Sequence, residues 1–255
     1  MDALYLQTLC NMESTLADLA KRIPTPQRVP IADSFAFRYV EKSIHQAIVQ
    51  KLARVISGLH AARILLENGF IQEQAALQRM LDEFQEDVTF LAYAVIFNDV
   101  TNQHHKYLNA FYEEEFDNPE DPVSSTQKRP TVSRDKIRAY IARIEGGGLD
   151  PSRGIAVTRT ISKAYSGYVH GASSQIMEMY GGHPPRFHVS GMRGTPLFVD
   201  HQNDLWNYFY RGICAFGFAA KAFGDDALFD VIRQYCDEFA KRSGKEYEVS
   251  AKGKT

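Results

Sequence analysis

Residues 62–95 read ARILLENGFIQEQAALQRMLDEFQEDVTFLAYAV, and this stretch decides the fold. Beyond Asn68 and Gly69, the side chains of Leu77, Phe84, Val88, Leu91 and Val95 recur so as to keep one face of a 3.6-residue helix apolar. Asn-Gly is a turn signal and a poor helix interior. The break is too short for a long connection, so the flanking helices fold back on each other as an antiparallel hairpin. Upstream, Asp33 or Ser34 is the expected N-cap of a helix running to Glu67. At ~1.5 Å per residue that helix would span about 50 Å, which predicts a kink, placed at Gly58. Downstream, the third helix is expected from Ile71 to about Phe116, so the long hairpin occupies 33–116.

Working outward, residues 2–21 carry Leu4, Leu9, Met12, Leu16 and Leu19 at helical spacing, and Pro24, Pro26 and Pro30 end the segment. Residues 1–32 are therefore an N-terminal helix with a proline-rich connection. Residues 117–132, DNPEDPVSSTQKRPTV, read as a flexible loop. The C-terminal helices fill 133–242. Ser133 caps RDKIRAYIARIE, which stops at Gly146. Asp150 and Pro151 open a helix carried to about Tyr180, and final helices cover 203–222 and 225–242. Between them, 181–202 forms an irregular or β-hairpin insertion, suggested by the alternation of Phe187 and Val189. Residues 243–255 are a polar tail. The expectation is one all-α domain over 1–255.

Composition narrows the function classes. Twenty-nine Lys and Arg stand against 31 Asp and Glu, a formal net charge of -2. A dedicated duplex-DNA binder carries a marked basic excess instead. The longest apolar runs, 90–97 and 213–220, are far short of the roughly twenty residues a membrane helix requires. The start, MDALYLQTLC, lacks the basic opening of a signal peptide. Cys10, Cys214 and Cys236 are an odd number without a CxxC pair, which suits a reducing cytoplasm.

Among chemical signatures there is no Walker A, GxGxxG, HExxH or GxSxG. His104 and His105 are adjacent, so on a helix they point about 100° apart and rarely serve one ion. No metal and no cofactor are implied. The richer pattern surrounds SGYVHG at 166–171. With His170 at zero on a helical wheel, Arg159, Lys163 and Ser166 fall within about 40° of it, so an acid-base group and two cations share one stripe. Gly167 and Gly171 border the stripe, where missing side chains would admit another backbone or a ligand. The alternative is a histidine that bridges helices beside solvated cations. A second stripe, Arg79, Glu83 and Asp87, is read as an ion pair at the edge of the core. Its functional version has Glu83 or Asp87 orienting a histidine or arginine of another helix. His183, Arg186, His188, Arg193 and His201 gather in the 181–202 insertion, a set that suits an anionic ligand or an RNA backbone, or equally a solvated loop.

The stretch 62–95, taken with YSGYVHGAS at 165–173, resembles bacterial all-helical proteins of the DUF5677 type. Arg79 and Glu83 match that family's Arg-x-x-x-Glu, and Ser166 and His170 its Ser-x-x-x-His, over roughly 40–180. Such proteins resemble in turn the wider HEPN group, many of whose members act in toxin–antitoxin or phage-defence systems. The resemblance implies a metal-independent ribonuclease acting as a homodimer, with His170 as general acid and base, Lys163 and Arg159 on the phosphate, and Ser166 orienting the histidine. The sequence departs from the HEPN motif: Lys163 stands where an arginine would be expected, and a lysine is a point charge, not a two-pronged donor. The competing expectation is a non-catalytic module that binds a partner protein of a defence system. A third is a small-molecule-binding bundle with the 181–202 loop as lid.

Overall fold

The computed structural model describes residues 1–31, 34–114, 116–118, 121–126, 130–146 and 152–245, the side chains of 152–155 and 157 excepted. It is all-α with two small antiparallel hairpins. Helix α1 spans Asp2–Ala20, α2 Ile44–Glu67, α3 Ile71–Ile96, α4 Asn102–Tyr112 and α5 Arg134–Glu145. After them come α6 Ser152–His170, the short α7 Ser173–Met177, α8 Pro196–Ala222 and α9 Asp226–Arg242. Strands β1 (Gln27–Ile31) and β2 (Ser34–Arg38) pair with each other, and β3 (Tyr180–Gly181) pairs with β4 (Arg186–Phe187). One core cluster draws on α1, α2, α3, α4, α5, α8 and α9, with Leu52, Leu59, Leu81, Leu91, Phe209 and Phe216 fully enclosed. Among the described residues no helix is long and apolar enough to cross a membrane.

The α2–α3 hairpin is present, and Gly69 makes its turn at φ 81°, a left-handed conformation that glycine adopts without cost. Val88 and Leu91 are fully buried and Leu77, Phe84 and Val95 partly so, as the periodicity requires. Three boundaries differ. The second helix starts at Ile44, not at 33–34: Ser43 and Gln46 form a reciprocal capping box. Ser34 lies in β2, where residues alternate along a hairpin, and Asp33 falls outside the described residues. The third helix stops at Ile96, because Asn98 turns left-handed at φ 48° and Thr101 caps α4. Helix α6 stops at His170, since Gly171 is left-handed at φ 62° and the Ala172 N–H returns to the Gly167 carbonyl. Helix α8 begins at Pro196, earlier than the expected 203, with proline at a position that needs no N–H. The expected N-cap at Asp150 lies outside the described residues.

Gly58 does not break α2, which runs unbroken. Its place is tight: a Cβ there would meet Leu81 Cδ2 of α3 at 2.7 Å. Gly58→Leu should therefore destabilise the protein by about 1–3 kcal/mol through overpacking, outweighing the roughly 0.5–1 kcal/mol gained in helix propensity. An unchanged or raised midpoint in thermal unfolding would show that the two helices do not meet so closely.

Candidate functional site

The run Asp82-Glu83-Phe84-Gln85-Glu86-Asp87 makes α3 an acidic spine. Each carboxylate takes a base. Asp82 holds Arg211 of α8, and Glu86 accepts from Arg138 Nε of α5 at 2.8 Å. Glu83 pairs with Arg79 at 2.7 Å, one turn back on α3. Asp87, with its side chain only 1% exposed, lies between Lys51 Nζ of α2 and Arg134 Nη1 of α5, each at 2.7 Å. Burial works against the Arg134 charge, but Asp87 and then Glu83 hold its pKa above the ordinary value. Burial raises the Glu86 carboxyl, with Arg138 opposing. Of the two carboxylates expected to orient a histidine or arginine elsewhere, both meet Arg134 of α5, Asp87 at 2.7 Å and Glu83 at 4.0 Å, and neither meets His170 among the described residues.

These pairings set the wall of an open groove of about 440 Å³ between α3, α5 and α6. Arg79 comes from α3, Asp135 and Arg138 from α5, and Arg159, Ser162, Lys163 and Ser166 from α6. Two stripes read separately in the sequence thus meet in space: Arg79 of one, and Arg159, Lys163 and Ser166 of the other. Sequence reasoning missed Arg138, Asp135 and Ser162. A signal existed for the first, because Arg134 and Arg138 stand four apart on one face of α5. Arg159 grips Asp135 with two prongs, Nη2–Oδ2 at 2.8 Å and Nε–Oδ1 at 3.2 Å, both side chains half exposed. Lys163 is exposed and has no ion-pair partner among the described residues.

His170 is also exposed, ends α6, and has no hydrogen-bond partner among the described residues. It lies outside the groove lining, about 6 Å along the axis beyond Ser166. The bordering glycines serve the chain itself. A Cβ on Gly167 would meet the Gln175 side chain at 2.4 Å, so α7 already fills that space.

The insertion docks at the hairpin tip, where the Met192 N–H donates to the Gly69 carbonyl at 2.8 Å. His183, Arg186 and Arg193 are exposed there and His188 is half-buried; none of them lines the groove. His201 is no loop cation. It sits buried in α8 with Nδ1 3.0 Å from Gln74 Oε1, and burial lowers its pKa. His104 is fully buried as well, its ring occupied by the Thr101 N–H and the Phe90 carbonyl.

A second cavity, of about 280 Å³, lies behind the groove, and Arg138 belongs to both walls. Gln85, Glu86, Thr89, Glu145 and Arg211 give it a polar side, and Cys214, Ala215 and Phe218 an apolar one. Gln85 and Arg138 keep buried polar atoms, Oε1 and Nη2, without hydrogen-bond partners.

Comparison with family models, with curated proteins and with solved structures returns no match to this chain.

Proposed function

We propose that the protein binds the RNA backbone along the exposed face of α6 and cleaves it without a metal, as one half of a homodimer in a defence or toxin-type system. The observation that carries the reading is the convergence of Arg79, Arg159 and Lys163, with the hydroxyls of Ser162 and Ser166, on one open groove. The Arg159–Asp135 pair is exposed, and such pairs are worth about 0–1 kcal/mol. A phosphate presenting the same two-pronged acceptor can therefore displace Asp135 at little cost. Lys163 adds a charge that needs no release. Arg138 stays with Glu86 and shapes the wall.

His170 supplies the proton chemistry in this reading. It takes the proton of a ribose 2′-hydroxyl as that oxygen attacks the adjacent phosphorus, and the same residue of the second protomer gives a proton to the departing 5′-oxygen. The resemblance to HEPN-type proteins motivates the dimer. The exposed Arg186 and Arg193 at the hairpin tip, with exposed His183 and half-buried His188 beside them, would extend the track past His170.

Reversing two charges, Arg159→Glu with Lys163→Glu, should weaken single-stranded RNA binding by tenfold or more at low salt. It should also flatten the dependence of log K on log salt by about 1.4, at ~0.7 for each phosphate that is no longer neutralised. Fluorescence anisotropy across a salt series reads both, and an unchanged slope removes the groove from the account. His170→Ala should abolish cleavage in the presence of EDTA while leaving binding intact. Sedimentation with and without RNA tests the dimer, and a monomer throughout removes the composite site.

A non-catalytic interaction module is the second reading, and one observation favours it. The β1–β2 hairpin exposes Phe35, Phe37 and, just beyond it, Val40, with Arg28 stacked 3.6 Å over the Phe35 ring. Apolar side chains grouped in this way commonly mark a protein contact. RNA left intact at high protein concentration would select this reading.

A further inference from the structure

Cys214 on α8 and Cys236 on α9 face each other with their sulfur atoms 3.8 Å apart. We propose that they form a redox-responsive dithiol, which a low-molecular-weight disulfide oxidises to a covalent tie between α8 and α9. The inference is independent of the RNA reading.

Three observations converge. The sulfurs are in van der Waals contact, and a disulfide of ~2.05 Å requires them to close by a further ~1.8 Å, within the reach of small side-chain and helix adjustments. Access is asymmetric: Cys214 is partly exposed and belongs to the wall of the 280 Å³ cavity, whereas Cys236 is buried. The environments also differ. The two thiols share one S–H···S contact in which either sulfur can donate. Cys214 and then Tyr210 lower the Cys236 pKa against its burial, while Cys236 and burial raise that of Cys214.

The chemistry follows the asymmetry. The accessible Cys214 gives its proton to a solvent base, attacks one sulfur of the oxidant as the thiolate and expels the first thiolate, which is reprotonated from solvent. Cys236 then loses its proton in the same way, attacks the Cys214 sulfur of the mixed disulfide and expels the second thiolate, which takes up a proton from solvent. Two protein thiols are oxidised by two electrons in all, and the oxidant is reduced to two thiols. Cys10, exposed on α1, takes no part.

The test uses the full chain carrying only Cys10→Ser, folded, exposed to oxidised glutathione, then quenched and alkylated. The expected product is lighter by two hydrogens, carries no glutathione, links the peptides of residues 214 and 236, and reverts in dithiothreitol. Adding Cys236→Ser should trap one glutathione on Cys214, and adding Cys214→Ser should leave Cys236 unmodified. Full alkylation of both cysteines after oxidant exposure would overturn the proposal. So would a glutathione adduct that persists on Cys214 while Cys236 is intact. Neither of those outcomes depends on altering either member of the pair.

Discussion

Replacing Asp87 by alanine should remove about 3–5 kcal/mol of stability, the loss typical when one partner of a buried ion pair is deleted. That is a large share of the roughly 5–15 kcal/mol available to an ordinary domain, so the variant should unfold at much lower urea. The size follows from what Asp87 leaves behind. Lys51 Nζ is packed among the rings of Phe84, Tyr107 and Phe111, at 5.2, 5.9 and 5.0 Å from their centroids, and with its side chain 14% exposed it finds little solvent to replace the lost carboxylate. Arg134 keeps the Glu83 carbonyl at 3.3 Å and two more distant carboxylates, Glu86 at 3.7 Å and Glu83 at 4.0 Å. Tyr107 is held protonated well above its usual range, by burial first and by the Asp87 charge second, and would lose that neighbour too. Asp87→Asn, which keeps the shape but not the charge, should cost nearly as much. Combining Asp87→Leu with Lys51→Met and Arg134→Met should recover much of the loss, since an apolar set of similar volume can replace a buried ionic one. A loss under 1 kcal/mol for Asp87→Ala would mean that water reaches the cluster.

The same residues show how far the sequence could be read. The hairpin was legible because Val88, Leu91 and Val95 keep one face and Asn68 with Gly69 interrupts it, both local signals. The end of α3 was not. The apolar run through Phe97 hides the stop, and Thr101 pairs with His104 in its capping box, where the usual signature has Glu or Gln. Ser34 reads as a cap until its neighbours are seen to alternate in a hairpin, and Ser43 with Gln46 carried the true capping box. On a single helix the wheel placed Arg159, Lys163 and Ser166 together correctly, because a helix fixes its own angles. It could not show that Arg79 meets them, or that Asp135 and Arg138 share their groove, since helix–helix docking fixes those contacts. Gln74, Gln78, Asp82 and Gln85 are polar at helical spacing, yet all four are buried. A polar stripe gives no sign from sequence that it will meet another polar stripe. Asp87 looked like the rim of the core for the same reason: its partners, Lys51 and Arg134, come from other helices.

Acid should destabilise the protein through His104, and the sign follows from its surroundings. The ring is fully buried between Phe90, stacked at 4.0 Å, and Tyr140, and burial pushes its pKa down from 6.5 to about 4. The Phe90 carbonyl and Asp99 oppose that shift without cancelling it. The neutral ring accepts the Thr101 N–H at Nδ1, 3.0 Å away, so its own proton sits on Nε2 and faces the Phe90 carbonyl at 3.3 Å. Protonation would set a second N–H against the Thr101 N–H and open the capping box that starts α4. A lowered pKa means that the unfolded chain binds more protons between pH 6.5 and about 4. Stability is therefore lost as pH falls through that window, by about 3 kcal/mol in full. His104→Gln does not titrate and can keep the reciprocal cap, since glutamine suits that position. The variant should be less stable than wild type at pH 7, where the stacked imidazole is lost. By pH 4.5 the gap should narrow by about 2.5 kcal/mol, because only the wild type takes up the destabilising proton. Urea unfolding of both proteins at the two pH values isolates this residue, as every other group titrates alike in each. Parallel losses in the two proteins would mean that His104 takes up its proton as readily in the fold as in the unfolded chain, and the neutral cap would have to be abandoned.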